Sequence, residues 1–523
     1  MEILLINAKV RISRNNFAYC VGFDSVTGRI NFTGDKQEAE KVRTSFKEII
    51  DCNGKLVIPS FYEGHCHFVE GAYVNSLLDL RNAAVSNDFV KSIREYRKLP
   101  EVSFIAGGFF AESNFKEDID LNTEFLDSIC DDIPVVISRF DSHAAFANSK
   151  AIELSGLLSK ESEFTSDEII KSGGKFTGEL KERARDFVLH SLPRPDLQKR
   201  YKVAKDLMDR FNSYGITSIS DITLVSDLEV FKEFINSNTL TLDVDARLNI
   251  SEYKNIEKYK KEFEGFENRI KFKSFKAFYD GSLSSKTAYM HSDYKGVSHN
   301  GIQTDIVLNG DFHRACAEID RNGYQLSVHA IGDKAVTELL DFNEILIRTN
   351  GAKDRRFRIE HAQHISESDF DRFRDLKVIA SVQPSHLFSD AKTAELILDD
   401  PSLEHNYNRL FNNGSKVCFG TDFPIVSENP FETIYFAMTR KAEGFENGFY
   451  GDKCISLDDC IDAYTLNNAF ASYAENDKGK LEPGMNADLI ILNENLYEVN
   501  PDDIRNCSVH STFFKGNLIY SAE

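Results

Sequence analysis

Several short apolar segments of this chain end in a polar side chain, and segments with helical periodicity lie between them. The segments of this form are residues 215–221, 270–276, 324–329, 357–361, 378–383 and 417–422. Strands that alternate with helices predict a parallel α/β sheet. Polar groups at the strand ends favour a (β/α)8 TIM-like barrel, because functional side chains of such barrels lie at the carboxyl ends of the strands. The pattern alone gives fewer than eight strands.

Another apolar run, residues 56–67, ends in His65-Cys66-His67. On a strand, side chains two residues apart share a face, so both imidazoles point to the same side and Cys66 is expected to pack as a thiol on the other. Neutral imidazole is a common ligand of zinc and related ions. A pair of histidines this close also arises by chance among 13. The pair therefore indicates a metal site only if later strands supply further ligands.

Later strand ends do carry ligand types. His329 and His361 end two successive apolar runs, and Asp422 follows a third. Together with His65 and His67 they predict a site for one or two divalent ions, and metal binding would lower the pKa of a water molecule from about 15.7 toward ~7. Asp422 is the predicted catalytic residue, a ligand that also accepts and delivers a proton as general base and acid.

The composition excludes several classes of protein. The 62 basic and 83 acidic residues give a net charge of −21, which opposes binding to nucleic acid or an anionic membrane. Nine scattered cysteines without a CxxC pair predict reduced thiols. The apolar stretches fall short of the ~20 residues that a bilayer span needs. With no signal-like N-terminus, the expected location is cytoplasmic.

The length of 523 residues predicts two or three structural units. Strand-like segments at both ends suggest one small β unit, made from residues 1–55 and 480–523. The barrel is assigned to 56–75 and 206–479. About 150 residues separate the His-x-His strand from the next convincing strand, so 76–205 is predicted to be an insertion after barrel strand 1 that covers the active-site face.

The chain resembles the amidohydrolase superfamily, in the branch of metal-dependent hydrolases similar to N-substituted formamide deformylase (amidohydrolase family 3). The motifs that carry the resemblance are Glu63-Gly-His-Cys-His67, Asp141-Ser-His143 with Asn148-Ser149, Gly215-Ile-Thr-Ser218, Lys276 through Asp280-Gly-Ser-Leu283 to Thr287-Ala288, His329-Ala-Ile-Gly-Asp333, Arg358-Ile-Glu-His-Ala-Gln363, Gly420-Thr-Asp422 and Gly484-Met-Asn-Ala-Asp-Leu489.

The resemblance implies a β-sandwich built from both termini beside a metal-bearing barrel. It implies that His65 and His67 bind the more buried metal, that His329 and His361 bind the second, and that Asp422 is ligand and proton shuttle. It also implies a CO2-derived carbamate on Lys276 that bridges two ions, with zinc as the expected metal. His143 and His386 resemble substrate-binding positions. The family usually has Asp two residues before the first ligand, where this chain has Glu63.

Simpler interpretations remain open for several of these residues. His364 lies near His361, but a loop or surface position is favoured. His143 and His386 fit equally well as hydrogen-bonded loop residues. Lys276 is alternatively a strand-end lysine paired with Asp280, while Lys273 should face solvent. Asp280 and Asp333 fit ordinary turn formation.

The leading hypothesis is an enzyme, an amidohydrolase that cleaves a non-peptide C–N bond of a small molecule, most simply an amide, with a metal-activated water. One alternative is an amidine or nucleobase-type deaminase of the same superfamily, and another is an inactive scaffold barrel. The expected partner is a small-molecule substrate, with no nucleic acid and no membrane. A homodimer is the default oligomer.

Overall fold

The computed structural model describes residues 1–100, 102–110, 112–139 and 144–522, with the backbone alone at 113. The chain divides into two compact units. Unit 1 consists of Met1–Glu70 and Ala204–Glu523, and unit 2 is Gly71–Val203. Among the helices of the described residues, none has the length and apolar character that a bilayer crossing requires.

The chain begins with β1 (Glu2–Ile6), β2 (Lys9–Ser13), β3 (Asn16–Ala18), β4 (Cys20–Asp24), β5 (Arg29–Gly34), α1 (Lys36–Val42), β6 (Glu48–Asp51), β7 (Leu56–Pro59), β8 (Phe61–Cys66) and α2 (Phe68–Asn75). Unit 2 then contains β9 (Leu78–Asp79), α3 (Ser86–Arg97), β10 (Ile105–Phe110), α4 (Thr123–Ile129), β11 (Val135–Arg139), β12 (Ala144–Ala147), α5 (Ser149–Ser155), β13 (Ile169–Ser172), β14 (Lys175–Lys181) and α6 (Glu182–Ser191).

The chain continues with α7 (Leu197–Ser213), β15 (Ile216–Ile222), α8 (Leu228–Asn236), β16 (Asp243–Asn249), α9 (Ile256–Glu262), β17 (Ile270–Phe278), α10 (Asp305–Leu308), α11 (Asp311–Arg321), β18 (Gln325–Ala330), α12 (Asp333–Asn350), β19 (Arg358–His361), α13 (Phe370–Asp375), β20 (Ile379–Val382), α14 (Leu387–Ile397), α15 (Asn408–Asn412), β21 (Lys416–Phe419), α16 (Pro430–Thr439), α17 (Leu457–Tyr464), α18 (Leu466–Ala471), β22 (Leu489–Leu492), β23 (Val509–Phe514) and β24 (Asn517–Ser521).

The barrel of unit 1 is one parallel sheet of eight described strands, in the order β8, β15, β16, β17, β18, β19, β20 and β21. Each strand pairs in parallel with the next one along the chain. Just beyond β21, Asp422 N donates to His65 O at 2.7 Å, and His67 N donates to Phe423 O at 2.9 Å. These bonds join the two outer strands at their carboxyl ends. The predicted (β/α)8 barrel is therefore confirmed.

The side chain of Asn468, in α18, also bridges the two outer strands of the barrel. Its Nδ2 donates to Tyr62 O of β8 at 2.6 Å and to Phe419 O of β21 at 2.8 Å. Each of these buried backbone carbonyls needs a hydrogen-bond donor, because leaving it unpaired would cost free energy of folding. One side-chain amide supplies both strands and holds their ends in register.

The β-sandwich implied by the resemblance is present and is made from both ends of the chain. Among the described residues of unit 1, one sheet has the order β5-β4-β1-β6 and the other β24-β23-β22-β7-β2-β3. A shared apolar core joins the two sheets, with Leu5 and Phe23 from one, and Val57, Ile491 and Phe513 from the other. Strand β7 lies between β2 and β22, so the termini share a sheet.

The apolar run 56–67 is two strands in two different sheets, and not the single barrel strand predicted. Strand β7 pairs with the C-terminal β22, whereas β8 pairs with β15 of the barrel. The chain passes from one sheet to the other at Ser60, whose hydroxyl lies 2.5 Å from that of Thr217. A continuous apolar run indicates that a segment is buried, but not in which sheet it lies. The assignment of the barrel from residue 56 onward was therefore wrong for β7.

Strand β16 is the barrel strand that sequence patterns missed. It carries Asp245 and Arg247, which are buried and form an ion pair at 2.9 Å. Charged side chains at alternate positions normally indicate a solvent-facing strand. Here they point into the barrel, where their charges neutralise each other.

Unit 2 has its own sheet, in the order β13-β14-β12-β11-β10-β9 among its described residues. Strands β10 and β11 are parallel neighbours in this sheet. Phe89, Phe110, Leu126 and Ile137 form part of an apolar core within this unit. Unit 2 therefore has a core of its own.

A buried lysine joins the sandwich to the barrel within unit 1. Lys478 Nζ lies 2.8 Å from Asp243 at the start of β16 and 2.5 Å from Asp488 beside β22. Lys515 Nζ contacts the other oxygen of Asp243 at 2.9 Å. Both ammonium groups hold the pKa of Asp243 below its usual range, although burial acts in the opposite direction.

Candidate active site and metal centre

Side chains from three strand ends of the barrel meet at one place. His65 is the next-to-last residue of β8, His361 ends β19, and Asp422 follows β21. The Nε2 atoms of His65 and His67 each lie 3.3 Å from Asp422 Oδ1. Ligand atoms of His65, His361 and Asp422 lie within 4.8 Å of one another. The structure thus brings four of the six predicted metal ligands into one cluster.

His329 lies next to His361, with ring centroids 4.5 Å apart. Its Nε2 lies 3.0 Å from Gly281 O. Burial, reinforced by the nearby Lys276 ammonium, lowers the pKa of His329 to about 3. Burial and the neighbouring His329 also hold the pKa of His361 well below its usual range. Both imidazoles are therefore neutral at physiological pH, which is the form that binds a metal.

The bond that His361 makes through Nδ1 fixes its ring. Nδ1 lies 2.8 Å from Gln383 Oε1, at the end of β20. The amide oxygen accepts a hydrogen bond, so Nδ1 carries the proton and Nε2 is left as the ligand atom. The backbone of His361 has φ 73°, and its carbonyl oxygen accepts a bond from the Tyr407 hydroxyl at 3.2 Å.

Lys276 lies in β17 and is 1% exposed, whereas Lys273 is exposed, as expected. Burial lowers the pKa of Lys276 to about 8. Its ammonium lies 4.9 Å from the centre of the Phe278 ring. Among the described residues, Lys276 forms no ion pair with Asp280, so the simpler interpretation of Lys276 as half of that pair is wrong.

Asp422 is ionised in this environment. Burial would raise its pKa, but the close contacts with His65 and His67 hold it well below the usual range. Its backbone has φ 58°, in the left-handed region. That conformation turns the residue back toward β8 directly after β21 ends.

Glu360 orients His65 from below the metal ligands. Its Oε2 lies 2.6 Å from His65 Nδ1. Oε1 accepts bonds from Arg358 at 2.9 Å, from Arg247 at 3.2 Å and from the Ser327 hydroxyl at 2.5 Å. Burial opposes ionisation of Glu360, but the positive charges of Arg358 and Arg247 hold its pKa well below the usual range. The carboxylate fixes the proton on Nδ1 and directs Nε2 toward Asp422.

Sequence reasoning gave no role to Glu360 or to its arginine partners. Glu360 and Arg358 stand at alternate positions of a fully buried strand, as Asp245 and Arg247 do in β16. A buried charge requires a partner. Oppositely charged residues at alternate positions of an otherwise apolar strand could therefore have predicted an ion-pair network inside the barrel.

Glu63, which stands where the family usually has Asp, is fully buried. Its Oε1 accepts bonds from His65 N at 3.0 Å and Thr421 N at 2.8 Å. It thereby ties β8 to the segment that carries Asp422. Burial raises the pKa of Glu63 to about 8. Among the described residues, Oε2 makes no hydrogen bond.

Asp280 does more than form a turn. Its buried carboxylate accepts bonds from the backbone N–H groups of Tyr289, Ile331 and Gly332 at 2.8–3.0 Å. Burial nevertheless raises its pKa to about 7. The carboxylate connects the loop after β17 with the loop after β18, immediately behind His329.

The remaining predicted positions have different outcomes. His386 faces the cluster, with its ring 6.2 Å from that of His361 and its Nε2 3.1 Å from Thr421 O. His143 lies outside the described residues. His364 is in a loop, as expected, and is 1% exposed. Its Nε2 contacts Glu404.

The donor set suits a divalent metal. Imidazole nitrogens and an ionised carboxylate, clustered at the mouth of a barrel, match the ligands of catalytic zinc and similar ions. His65, His361 and Asp422 are close enough to share an ion, and His67 contacts Asp422 from the same side as His65 does. His329 and Lys276 lie beside them, where a second ion would be held.

Comparison with known proteins gives matches over almost the whole chain. The family model described as "Amidohydrolase family" matches residues 48–520. Protein LONG AFTER FAR-RED 3 of Arabidopsis thaliana is 26% identical, over 99% of this chain and 91% of its own length. The N-substituted formamide deformylase of Arthrobacter pascens is 24% identical, over 99% of this chain and 98% of its own. A solved metal-dependent hydrolase of Pyrococcus horikoshii OT3 is 25% identical with a TM-score of 0.78, covering 96% of this chain and 99% of its own.

Proposed function

Because this chain belongs to the amidohydrolase family, we propose that it is a metal-dependent hydrolase that cleaves a non-peptide C–N bond of a small molecule, most simply an amide. The observation that carries the proposal is the cluster of His65, His67, His361 and Asp422 at the barrel mouth. Similarity to a formamide deformylase over 99% of the chain supports an amide substrate.

His65, His67, His361 and Asp422 would hold one metal ion, and His329 with Lys276 would complete a second position. A divalent ion such as zinc would supply Lewis acidity, which polarises a carbonyl oxygen and makes a water molecule more acidic. Glu360 and Gln383 keep the Nε2 atoms of His65 and His361 directed at the site through their bonds to Nδ1.

Asp422 is the proposed general base and acid. Its Oδ1 faces His65 and His67, which leaves Oδ2 to accept a proton from the attacking water. Oδ2 would then deliver that proton to the departing nitrogen. The low pKa of Asp422 keeps the carboxylate ionised before substrate binds.

Lys276 is the proposed site of a carbamate. Carbamate formation joins the neutral amine to CO2 and releases one proton, so it requires a lysine that loses its charge near neutral pH. The pKa of Lys276 is lowered to about 8 by burial. The product carries an anionic oxygen pair suited to two cations, whereas an ammonium would repel them.

The net charge of −21 and the family relationship favour a small-molecule substrate over nucleic acid or a membrane surface. We propose His386 as a substrate-facing residue, since it lies beside His361 at the same end of the barrel. A cytoplasmic homodimer remains the proposed setting.

Asp422→Asn tests this function. The variant should retain its fold and bound metal but lose hydrolysis of formyl and acyl amides by at least ~100-fold, the lower range for a general acid–base. Asp333→Asn is the matched control, because Asp333 also follows a barrel strand but instead bonds His291 N and Ser366. Undiminished turnover in Asp422→Asn would refute the assignment. Ammonia release without a carboxylate product would identify amidine deamination instead.

A further inference from the structure

A second cluster of side chains of metal-ligand types lies on two loops and one helix beside the barrel mouth. His364 follows β19, Asp390 lies in α14, and Glu404 and His405 precede α15. His364, Glu404 and His405 are between 0% and 2% exposed, and Asp390 is partly buried. Ligand atoms of Asp390, Glu404 and His405 lie within 4.8 Å of one another.

Glu404 is the centre of this cluster. Its Oε2 contacts His364 Nε2, and its Oε1 contacts His405 Nδ1. Gln363 Nε2 donates to Glu404 Oε1 at 2.8 Å and to Asp390 Oδ2 at 3.0 Å. Two imidazole nitrogens and two carboxylates therefore converge on one small volume.

Three buried atoms in this volume lack hydrogen bonds. His364 Nε2, His405 Nδ1 and Glu404 Oε2 make none within the described part of the chain, because their mutual contacts do not have hydrogen-bond geometry. Buried polar atoms are rarely left in this way, because they have lost their hydrogen bonds to water without gaining a partner in the protein. Such close contacts between metal-ligand atoms, without hydrogen-bond geometry, indicate that a different partner belongs between them.

The two carboxylates of this cluster also favour the binding of a cation. Asp390 and Glu404 are neighbouring buried carboxylates, and burial with the nearby Glu404 charge raises the pKa of Asp390 to about 6. The guanidinium of Arg440 contacts the same segment, but it donates to the backbone carbonyls of Glu404, His405 and Phe449 and not to the carboxylates. Its guanidinium is thus used on main-chain oxygens, and the carboxylates rely on Gln363 and the two histidines.

We propose that Asp390, Glu404 and His405 bind a divalent transition-metal ion, with His364 as a further nitrogen donor, at a site separate from the catalytic cluster. Nitrogen and carboxylate donors together favour zinc. Bond lengths of about 2.0–2.1 Å place the ligand atoms of a tetrahedral zinc ~3.3 Å apart, so small side-chain movements would complete the site.

The proposed ion has a structural role. It would join three segments of the chain, which carry His364, Asp390 and the Glu404-His405 pair. Tyr407, two residues beyond His405, already donates its hydroxyl to the His361 carbonyl at 3.2 Å. His405 N also donates to Gln363 O at 3.1 Å. An ion at this position would stabilise the loop on which the catalytic ligand His361 ends.

Zinc-edge anomalous diffraction from crystals of the full chain equilibrated with Zn²⁺ tests the proposal directly. The expected result is a peak between Glu404, His405 and Asp390, besides any peak at the catalytic cluster. The site does not depend on hydrolysis, so Asp422→Asn should keep this peak. A map with a peak at the catalytic cluster and none at Glu404 would overturn the proposal and leave the group as a buried ion network.

Metal content in solution gives a second measurement. Asp390→Asn and His405→Asn should each bind one zinc ion fewer per chain than the wild type, and Asn suits position 405 because its φ is 49°. His313→Asn is the matched control, since that imidazole packs against the rings of Phe312 in α11 and Phe342 in α12. Equal zinc content in all variants and wild type would contradict the proposal. If the cluster variants fail to fold, the wild-type map decides.

Discussion

Glu360→Gln perturbs the charge network beneath the metal ligands without changing side-chain volume. The wild-type carboxylate faces Arg358 and Arg247 on one oxygen and His65 Nδ1 on the other, and Glu360 and both arginines are 0% exposed. The amide is neutral, and its nitrogen has no lone pair to accept a bond. Two guanidinium groups and one imidazole would therefore lose their shared anion.

The size of the effect follows from the partners that remain. Removing one member of a buried ion pair costs about 3–5 kcal/mol. Arg247 keeps Asp245 at 2.9 Å, and Arg358 keeps Gly64 O at 3.0 Å and the Ser381 hydroxyl at 2.7 Å. These bonds place the expected loss of unfolding free energy at the lower end, about 3 kcal/mol. Because His65 also loses the acceptor that fixes its ring, metal affinity should fall about 10–100-fold.

Urea unfolding of the metal-stripped protein measures the first effect, and competition with a chelator for zinc measures the second. The slope of the unfolding free energy against urea concentration must be the same in both proteins, so that the shift in midpoint can be converted to a free-energy difference. Glu338→Gln is the matched control, because Oε2 of Glu338 accepts bonds from two neutral donors, Tyr279 at 2.6 Å and Gln303 at 2.7 Å. The control should lose about 1 kcal/mol. If Glu360→Gln matched the control in both measurements, the reasoning about His65 and its carboxylate would be refuted.

Two other substitutions test how the fold positions the site. Gly420→Ala should weaken zinc binding and lower the melting temperature, because the added Cβ would lie 2.7 Å from Glu63 Oε1 and 2.8 Å from His65 Cβ. The control Gly451→Ala should do neither, because a Cβ at that position has no atom within 4 Å. Lys478→Met should cost about 3 kcal/mol of unfolding free energy at pH 7, whereas exposed Lys480→Met should cost at most about 1. The lowered pKa of Asp243 means that its stabilising effect is complete above its ordinary pKa of about 4 and is lost as pH falls through the lower folded value. The difference between wild type and Lys478→Met should therefore shrink in acid, and a constant or growing difference would count against the ion pair.

The barrel and most of its proposed ligands were predictable from sequence because each signal is local. His329, His361 and Asp422 each follow a short apolar run, and parallel strands in a barrel place all such ends on one face. His65 and His67 needed only the alternation of side chains along a strand. A barrel thereby converts separate local patterns into one site.

The parts that could not be predicted depend on which distant segments meet. The division of 56–67 at Ser60 depends on β22, far along the chain, pairing with β7. Strand β16 was missed because Asp245 and Arg247 neutralise each other inside the barrel. The burial of His364 could not be predicted because Glu404, its buried partner, lies 40 residues away in a loop.

The position of β7 between β2 and β22 sets an order for biosynthesis. Strand β22 begins at Leu489, about 430 residues after β7 ends at Pro59. At about 5–20 residues per second, roughly 20–90 s of translation separate the two. Until then β7 has an unpaired edge, and the chain directly beyond it carries His65 and His67. An unpaired strand edge is a template for aggregation, so a nascent chain or a C-terminal truncation should depend on chaperones where the finished protein does not.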